Sequence, residues 1–381
     1  MFKLKNKTIL ILSPEKWGKM HISKHHYAIE LVKRDNTVYF ITINRNIKGV
    51  EITKSEIHNL FLVSYNTFFP YNLKFHFRKL FDFLMKFQIR RILKKIAKPI
   101  NIVWCFEFNT YSNLKRFNAD LVIFHPVDNL YSKSQKSIIK SSDFVFSVSG
   151  VIIDKMKQIC QQKKYYFINH GLSEYFVNVK KSKSTRKLSN YISTYFVGNL
   201  LISSLDRLVI KRLITENSKV NFVFIGSYSY SKSNVGGIKD DATVNFISFL
   251  KNRKNVILKG SMHPKEVAKE IQSADVLLIL INPQKDINKG SNSHKALEYL
   301  STGKVIISNY LSTYKNKRNL IEMVDEMHND NLPTIFTKVI NNLAYYNSPK
   351  LQRKRIEFAL DNTYAKQIKR IEEYISEIKK T

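Results

Sequence analysis

Short apolar runs recur along the chain, separated by polar stretches of helix length. Thr8 to Ser13, Thr37 to Ile43, Asn101 to Phe106, Asp120 to Phe124, Asp143 to Ser147 and Tyr165 to Ile168 are nearly continuous in Ile, Leu, Val and Phe and are bounded by turn residues. Continuous apolar character predicts strands buried on both faces, and strands alternating with helices predict a parallel, doubly wound sheet. The pattern pauses over a Lys/Ser-rich stretch ending at Asn190. It restarts with Thr194 to Gly198, Asn221 to Gly226, Asn255 to Leu258, Asp275 to Leu280 and Lys304 to Ser308. The expectation is an α/β chain of two Rossmann-like halves facing across a cleft, over 1–180 and 191–345, joined by a linker at 181–190. From about Leu332 the pattern turns helical, and 346–381 is expected as C-terminal helices.

The stretch from Ser291 to Ser308 carries the most chemistry. Ala296, Leu297 and Leu300 fall at helical spacing, Gly303 is a natural stop, and Val305 to Ile307 is a β-branched run. Ser291 or Ser293 is placed to cap the helix, with Asn292 between them and His294 at its start. A helix N-terminus attracts phosphate, Lys295 adds a positive charge, and Glu298 one turn on can accept hydrogen bonds from paired hydroxyls such as those of a ribose. These are the parts needed to hold a nucleoside diphosphate.

The same residues, Lys-x-x-Glu-Tyr-Leu-x-x-Gly-Lys-Val-Ile-Ile-Ser from Lys295, resemble the donor-site motif of GT-B glycosyltransferases, especially the family 4-like group of bacterial polysaccharide clusters. His294 and Val305 stand at or near positions where that group often has proline. Gly290 stands where many retaining members carry a glutamate. Weaker likenesses run through the chain in the family's order. They are the first loop from Ser13 to Ala28, Ser147 to Gly150, Phe167 to Gly171, Val197 to Leu200 with Leu205 to Arg207, Lys254 to Gly260, and Ser273 to Leu278. The resemblance implies a GT-B fold whose terminal helix returns to the first domain. It also implies a hexosyltransferase-type activity moving a sugar from a nucleotide donor, UDP- or GDP-linked ahead of others, to a glycan or lipid-linked glycan in surface polysaccharide synthesis. Gly198, Asn199, Arg207 and Gly226 join the expected donor set, and the nucleotide sugar is substrate, with no cofactor implied.

Composition narrows the setting. Of 381 residues, 44% are hydrophobic and 12% aromatic, enough for two ordinary cores. The longest apolar run, Val276 to Ile281, falls far short of the ~20 residues of a spanning helix, and the basic N-terminus precedes an apolar stretch too short for a signal peptide. Two cysteines, Cys105 and Cys160, lack partners at metal-ligand spacing, so a reducing cytoplasm is expected. With 63 Lys plus Arg against 30 Asp plus Glu the net charge is +33, which seeks polyanions: phosphorylated substrates, an anionic membrane or nucleic acid. No recognised nucleic-acid module is present, which ranks that partner last. An AT-rich genome also produces such a charge without any partner.

Three further sets complete the candidates. No Asp-x-Asp pair occurs, so metal-independent transfer is expected. His125 and Asp128 follow a strand end, where open α/β sheets place ligands, and with Glu15 are the expected catalytic groups; one of Glu15, His21, His25 and His26 of the first loop and helix is the candidate base for an inverting enzyme. Between Tyr71 and Lys98, nine Lys/Arg mix with six Phe/Tyr and one acid, Asp82. There Phe77, Arg78, Phe81, Lys86, Arg90 and Lys94 read as a membrane-facing helix, peripheral to the inner face of the cytoplasmic membrane. The rival readings are a basic nucleic-acid- or membrane-binding protein without catalysis, a non-catalytic scaffold, and a GT-B nucleotide-sugar epimerase.

Overall fold

The computed structural model describes residues 2–18, 21–177, 179, 191–229 and 240–378; the expected linker at 181–190 lies outside them. The chain forms two compact units, Met1–Gly171 with Tyr364–Thr381, and Leu172–Thr363. The sequence pattern sets these divisions at 180 and 346 instead.

In the first unit the elements run β1 (Thr8–Leu12), α1 (Ser23–Val32), β2 (Thr37–Ile43), β3 (Val50–Lys54), β4 (Leu60–Tyr65), α2 (Leu73–His76), α3 (Arg78–Ile96), β5 (Ile102–Cys105), β6 (Leu121–Phe124), α4 (Gln135–Ser141), β7 (Phe144–Ser147), α5 (Gly150–Ile159) and β8 (Tyr165–Phe167). The second unit continues with α6 (Glu174–Val177), β9 (Ile192–Val197), α7 (Arg207–Glu216), β10 (Val220–Ile225), α8 (Asp241–Lys251), β11 (Val256–Gly260), α9 (Pro264–Glu270), β12 (Val276–Ile279), α10 (His294–Leu300), β13 (Val305–Ser308), β14 (Glu322–Met323), α11 (Leu332–Asn341), α12 (Leu343–Tyr346) and α13 (Pro349–Asp361). The last helix, α14 (Tyr364–Ile378), belongs to the first unit.

The eight-stranded sheet has the order β3-β4-β2-β1-β5-β6-β7-β8 and the six-stranded sheet β11-β10-β9-β12-β13-β14. All neighbours are parallel except the edge pair β3 and β4. The central strands feed two cores each. Leu10 and Leu12 of β1 pack with α3, α4 and α5, while Ile9 and Ile11 point the other way, into a cluster with α1 and α14. In the second sheet Phe196, Phe222 and Phe224 pack with α7, α8 and α11, and Tyr195, Val223 and Ile225 pack on the side of α9 and α10. Strand order reverses between β1 and β5 in one sheet and between β9 and β12 in the other. The carboxyl ends at such switch points are where open α/β sheets bind ligands.

Helix α3 departs from its sequence reading at two residues. Phe81 is fully buried in the core of the first unit, so it faces no membrane. Arg78 turns inward as well, donating to the Asn109 carbonyl at 2.7 Å and pairing with Asp82 at 2.9 Å. The cause is helical phase: Phe81, Met85, Ile89, Ile92 and Ile96 form the stripe that covers the sheet. Phe77, Lys86, Arg90 and Lys94 lie on exposed positions.

Candidate donor site

The site forms at the switch point of the second unit, where α10 meets the end of β9. Tyr299, fully buried, accepts a hydrogen bond from the Val197 backbone N–H at 2.8 Å, pinning the helix to the last residue of the strand. One residue on, the Gly198 Cα lies under the Lys295 side chain, so close that a methyl there would stand 3.0 Å from Nζ. Lys295 Nζ also lies 5.8 Å from the centre of the Phe196 ring. Gly226 supports the same point from below. It has φ +149°, and a Cβ on it would come within 1.8 Å of the Gly198 carbonyl oxygen, so only glycine lets β10 approach this closely. Gly198 N–H donates to Ile225 O at 2.8 Å, and Gly226 N–H to Gly260 O at 2.8 Å.

Lys295 and Glu298 are half-buried on α10. Burial pushes the Glu298 carboxyl up to about 7, with Lys295 pulling it partly back. Burial likewise lowers the Lys295 ammonium, opposed by Glu298. Each group therefore carries a desolvation cost that its partner only partly offsets. An anion beside Lys295 and hydroxyls beside Glu298 would relieve it.

The other expected donor residues divide. Ser293 takes the N-cap position of α10 but makes no side-chain cap bond, contrary to its expected capping. Ser291 is buried, and its carbonyl accepts from Ser312 Oγ at 2.9 Å and Thr313 Oγ1 at 2.8 Å. Asn292 Oδ1 accepts from Ser293 N–H at 2.8 Å, His294 is exposed, and Asn199 Oδ1 accepts from Leu201 N–H at 2.9 Å in the turn after β9. Arg207 already has partners of its own, though its Nε meets none among the described residues. Its guanidinium donates to Thr243 Oγ1 at 2.6 Å and faces Asp240 at 3.8 Å, partners it does not share with Lys295. Gly290 has φ +60°, and a Cβ there would lie 2.5 Å from Tyr310 O, so a glutamate at this position is excluded by the backbone itself. Tyr299 is the positioning residue that sequence reasoning missed. Its place in the Glu-Tyr-Leu motif was the available signal.

In the first unit His125 is fully buried just beyond β6. Trp104 Nε1–H donates to its Nδ1 at 3.3 Å, and since indole only donates, the ring proton sits on Nε2. Burial lowers its pKa to about 3, so the ring is neutral, and Nε2 meets no partner among the described residues. The ring can donate a hydrogen bond but cannot take a proton at Nε2. His25 and His26 are also held neutral by burial, at about 4 and about 3. Glu15 is paired with the buried Lys24, while Asp128 is half-buried. No group of three or more His, Cys, Asp or Glu among the described residues could hold a metal ion. Cys105 and Cys160 are both free thiols.

No protein-family model matches the chain, and no curated protein matches it in sequence. Solved structures do match. Sucrose-phosphate synthase from Thermosynechococcus elongatus superposes with a TM-score of 0.73 at 11% identity, over 98% of this chain and 99% of that one. A trehalose-6-phosphate structure from E. coli bound with UDP-2-fluoro glucose gives 0.69 at 10% identity, over 98% and 99%. The fold is GT-B. A glycosyltransferase from Rickettsia africae, at 0.66 and 14% identity, covers 98% of this chain and 99% of its own. Both units and the terminal helix of this GT-B chain are therefore spanned, and at these identities the likeness speaks for the fold alone. Among the described residues no helix is long and apolar enough to cross a membrane.

Proposed function

We propose that the chain is a glycosyltransferase that takes a sugar from a nucleoside-diphosphate donor, UDP- or GDP-linked, held on the second unit. The carrying observation is the Lys295 ammonium packed over Gly198 at the switch point, with Glu298 one helical turn away. When the bond from the anomeric carbon to the diphosphate breaks, negative charge grows on the departing phosphate oxygen, and Lys295 is the fixed positive charge that stabilises it. Glu298 accepts from the paired hydroxyls that orient the donor. The GT-B neighbour bound with UDP-2-fluoro glucose supports a nucleotide sugar as the ligand.

The acceptor we propose is a glycan or lipid-linked glycan of a surface polysaccharide, met at the inner face of the cytoplasmic membrane by a peripheral enzyme. The names of the sucrose- and trehalose-phosphate neighbours favour a sugar phosphate as the second acceptor to assay. His125, whose buried Nε2–H has no partner among the described residues, is the first-unit group proposed to meet the acceptor, and Asp128 and Glu15 are proposed with it. Transfer is proposed to be metal-independent.

Thermal unfolding in chelator against UDP, GDP, dTDP, ADP and CMP tests the donor site. A matching nucleotide at ~100 times its Kd should add ~2.7 kcal/mol, and Glu298→Ala should abolish the gain. No response to any nucleotide, or a response that survives the substitution, removes the basis for the reading; a strict need for Mg²⁺ or Mn²⁺ overturns metal independence.

A further inference from the structure

Six of the fifteen large hydrophobic side chains exposed among the described residues fall between Phe68 and Phe87. Phe75, Phe77 and Phe83 are 65%, 63% and 56% exposed, with Leu80, Phe87 and Phe68 beside them in sequence on the same α2–α3 segment and its approach. Isolated surface apolars are ordinary, but a contiguous set of this size marks a binding surface. Basic residues run down the same side of α3. Lys79, Lys86, Arg90, Arg91, Lys94 and Lys95 all occupy exposed positions at helical spacing. The only acid of the helix, Asp82, is turned in against Arg78, so no negative charge interrupts the face.

We propose that this face of α2 and α3 is a docking surface for an anionic lipid bilayer. The aromatic N-terminal part enters the headgroup and acyl boundary, while Lys86, Arg90 and Lys94 lie along the phosphates. The inward half of α3 is fixed to the sheet by Phe81, Met85 and Ile89, so the outer half is presented as a rigid wedge. Charge complementarity selects an anionic occupant, and the run of exposed apolar side chains, Leu80 among them, favours one with an acyl interior. Arg91 lies 4.1 Å from the centre of the Phe68 ring and Lys74 4.8 Å from that of Phe75, so cations flank the rings as they would at a headgroup boundary. Phe83 and Phe87 meet edge to face at 5.2 Å, a knot suited to burial in acyl chains. The inference rests on the peripheral membrane location proposed above and gives it a surface; it uses the first unit only, so it can fail while the donor site stands.

The test is co-sedimentation of the full chain with phosphatidylcholine vesicles and with vesicles that also contain phosphatidylglycerol, at low and high salt. Binding should require phosphatidylglycerol and weaken as salt rises. Phe83→Ser with Phe87→Ser should lower the partition coefficient about ten-fold or more, and Lys86→Glu with Arg90→Glu should remove the salt-sensitive part. Phe83→Trp keeps the test open should those variants misfold: its added fluorescence should shift to the blue on anionic vesicles alone. Equal binding to both vesicles, no binding, no change in the variants, or no blue shift overturns the proposal. So does single-stranded RNA binding that the same substitutions abolish.

Discussion

At the residue scale, Glu298 ties fold to function through its proton. Its folded pKa of about 7 lies above the ordinary glutamate value, so between roughly pH 4.5 and 7 the native state holds a proton that the unfolded chain releases. Stability that is present below this window is therefore lost as pH rises through it. The half-buried carboxyl should account for on the order of 2 kcal/mol of that fall, against a ceiling of about 3. Urea unfolding near pH 5 and near pH 7.5 should show the loss in the wild type and a flatter profile in Glu298→Gln. Identical profiles would mean the carboxyl is solvated and the site is not desolvated as described. The sequence made Lys295 and Glu298 legible because a one-turn spacing is a local property. It could not show that Gly290 occupies a left-handed turn pressed on Tyr310, or that Arg207 meets Thr243, because both depend on residues brought in from elsewhere.

At the element scale, α10 is useful because the Tyr299 hydroxyl ties it to the end of β9, beside the apolar packing of Ala296, Leu297 and Leu300. Tyr299→Phe keeps the ring but leaves the Val197 N–H without its acceptor, which should cost about 1–3 kcal/mol. The nucleotide-dependent gain in melting temperature should shrink too, since Lys295 would no longer be held over Gly198. A variant with wild-type stability and wild-type nucleotide response would show that the rest of α10 suffices. Strand prediction succeeded wherever both faces of a strand are buried, as in Ile102–Cys105 and Val276–Ile279. It missed Val50–Lys54, whose Glu51 and Lys54 are exposed at the sheet edge, and Leu60–Tyr65, whose Phe61, Leu62 and Ser64 are only half-buried. On α3 the composition was readable but the phase was not. Aromatic residues occur on both faces, and only packing shows that Phe81 belongs to the core while Phe83 does not.

At the scale of the whole molecule, the first unit is not complete until the chain's last described helix has joined it. Ile368, Ile371 and Ile375 of α14 are fully buried and Tyr364 nearly so, in the cluster that holds Ile9, Ile11 and Trp104. The two chain ends are also stitched together. Phe2 N–H donates to Ser376 Oγ at 2.7 Å and Leu4 N–H to Glu372 Oε1 at 2.6 Å. The helical pattern from Leu332 onward was visible in sequence, whereas the residue at which the chain changes units was not, because only packing shows that α13 adds Ala359 to one core and α14 adds Ile368, Ile371 and Ile375 to another. Four buried side chains at ~1.5–3 kcal/mol each contribute ~6–12 kcal/mol, comparable to the entire stability of an ordinary domain. Ending the chain at Thr363 should therefore unfold the first unit and leave the second folded. Limited proteolysis should then degrade residues 1–171 while protecting a fragment containing α10, and that fragment should keep whatever nucleotide-dependent stabilisation the full chain shows. Equal protection of both halves would mean that α14 decorates the first unit without completing it, and loss of both would mean that the two units do not fold independently.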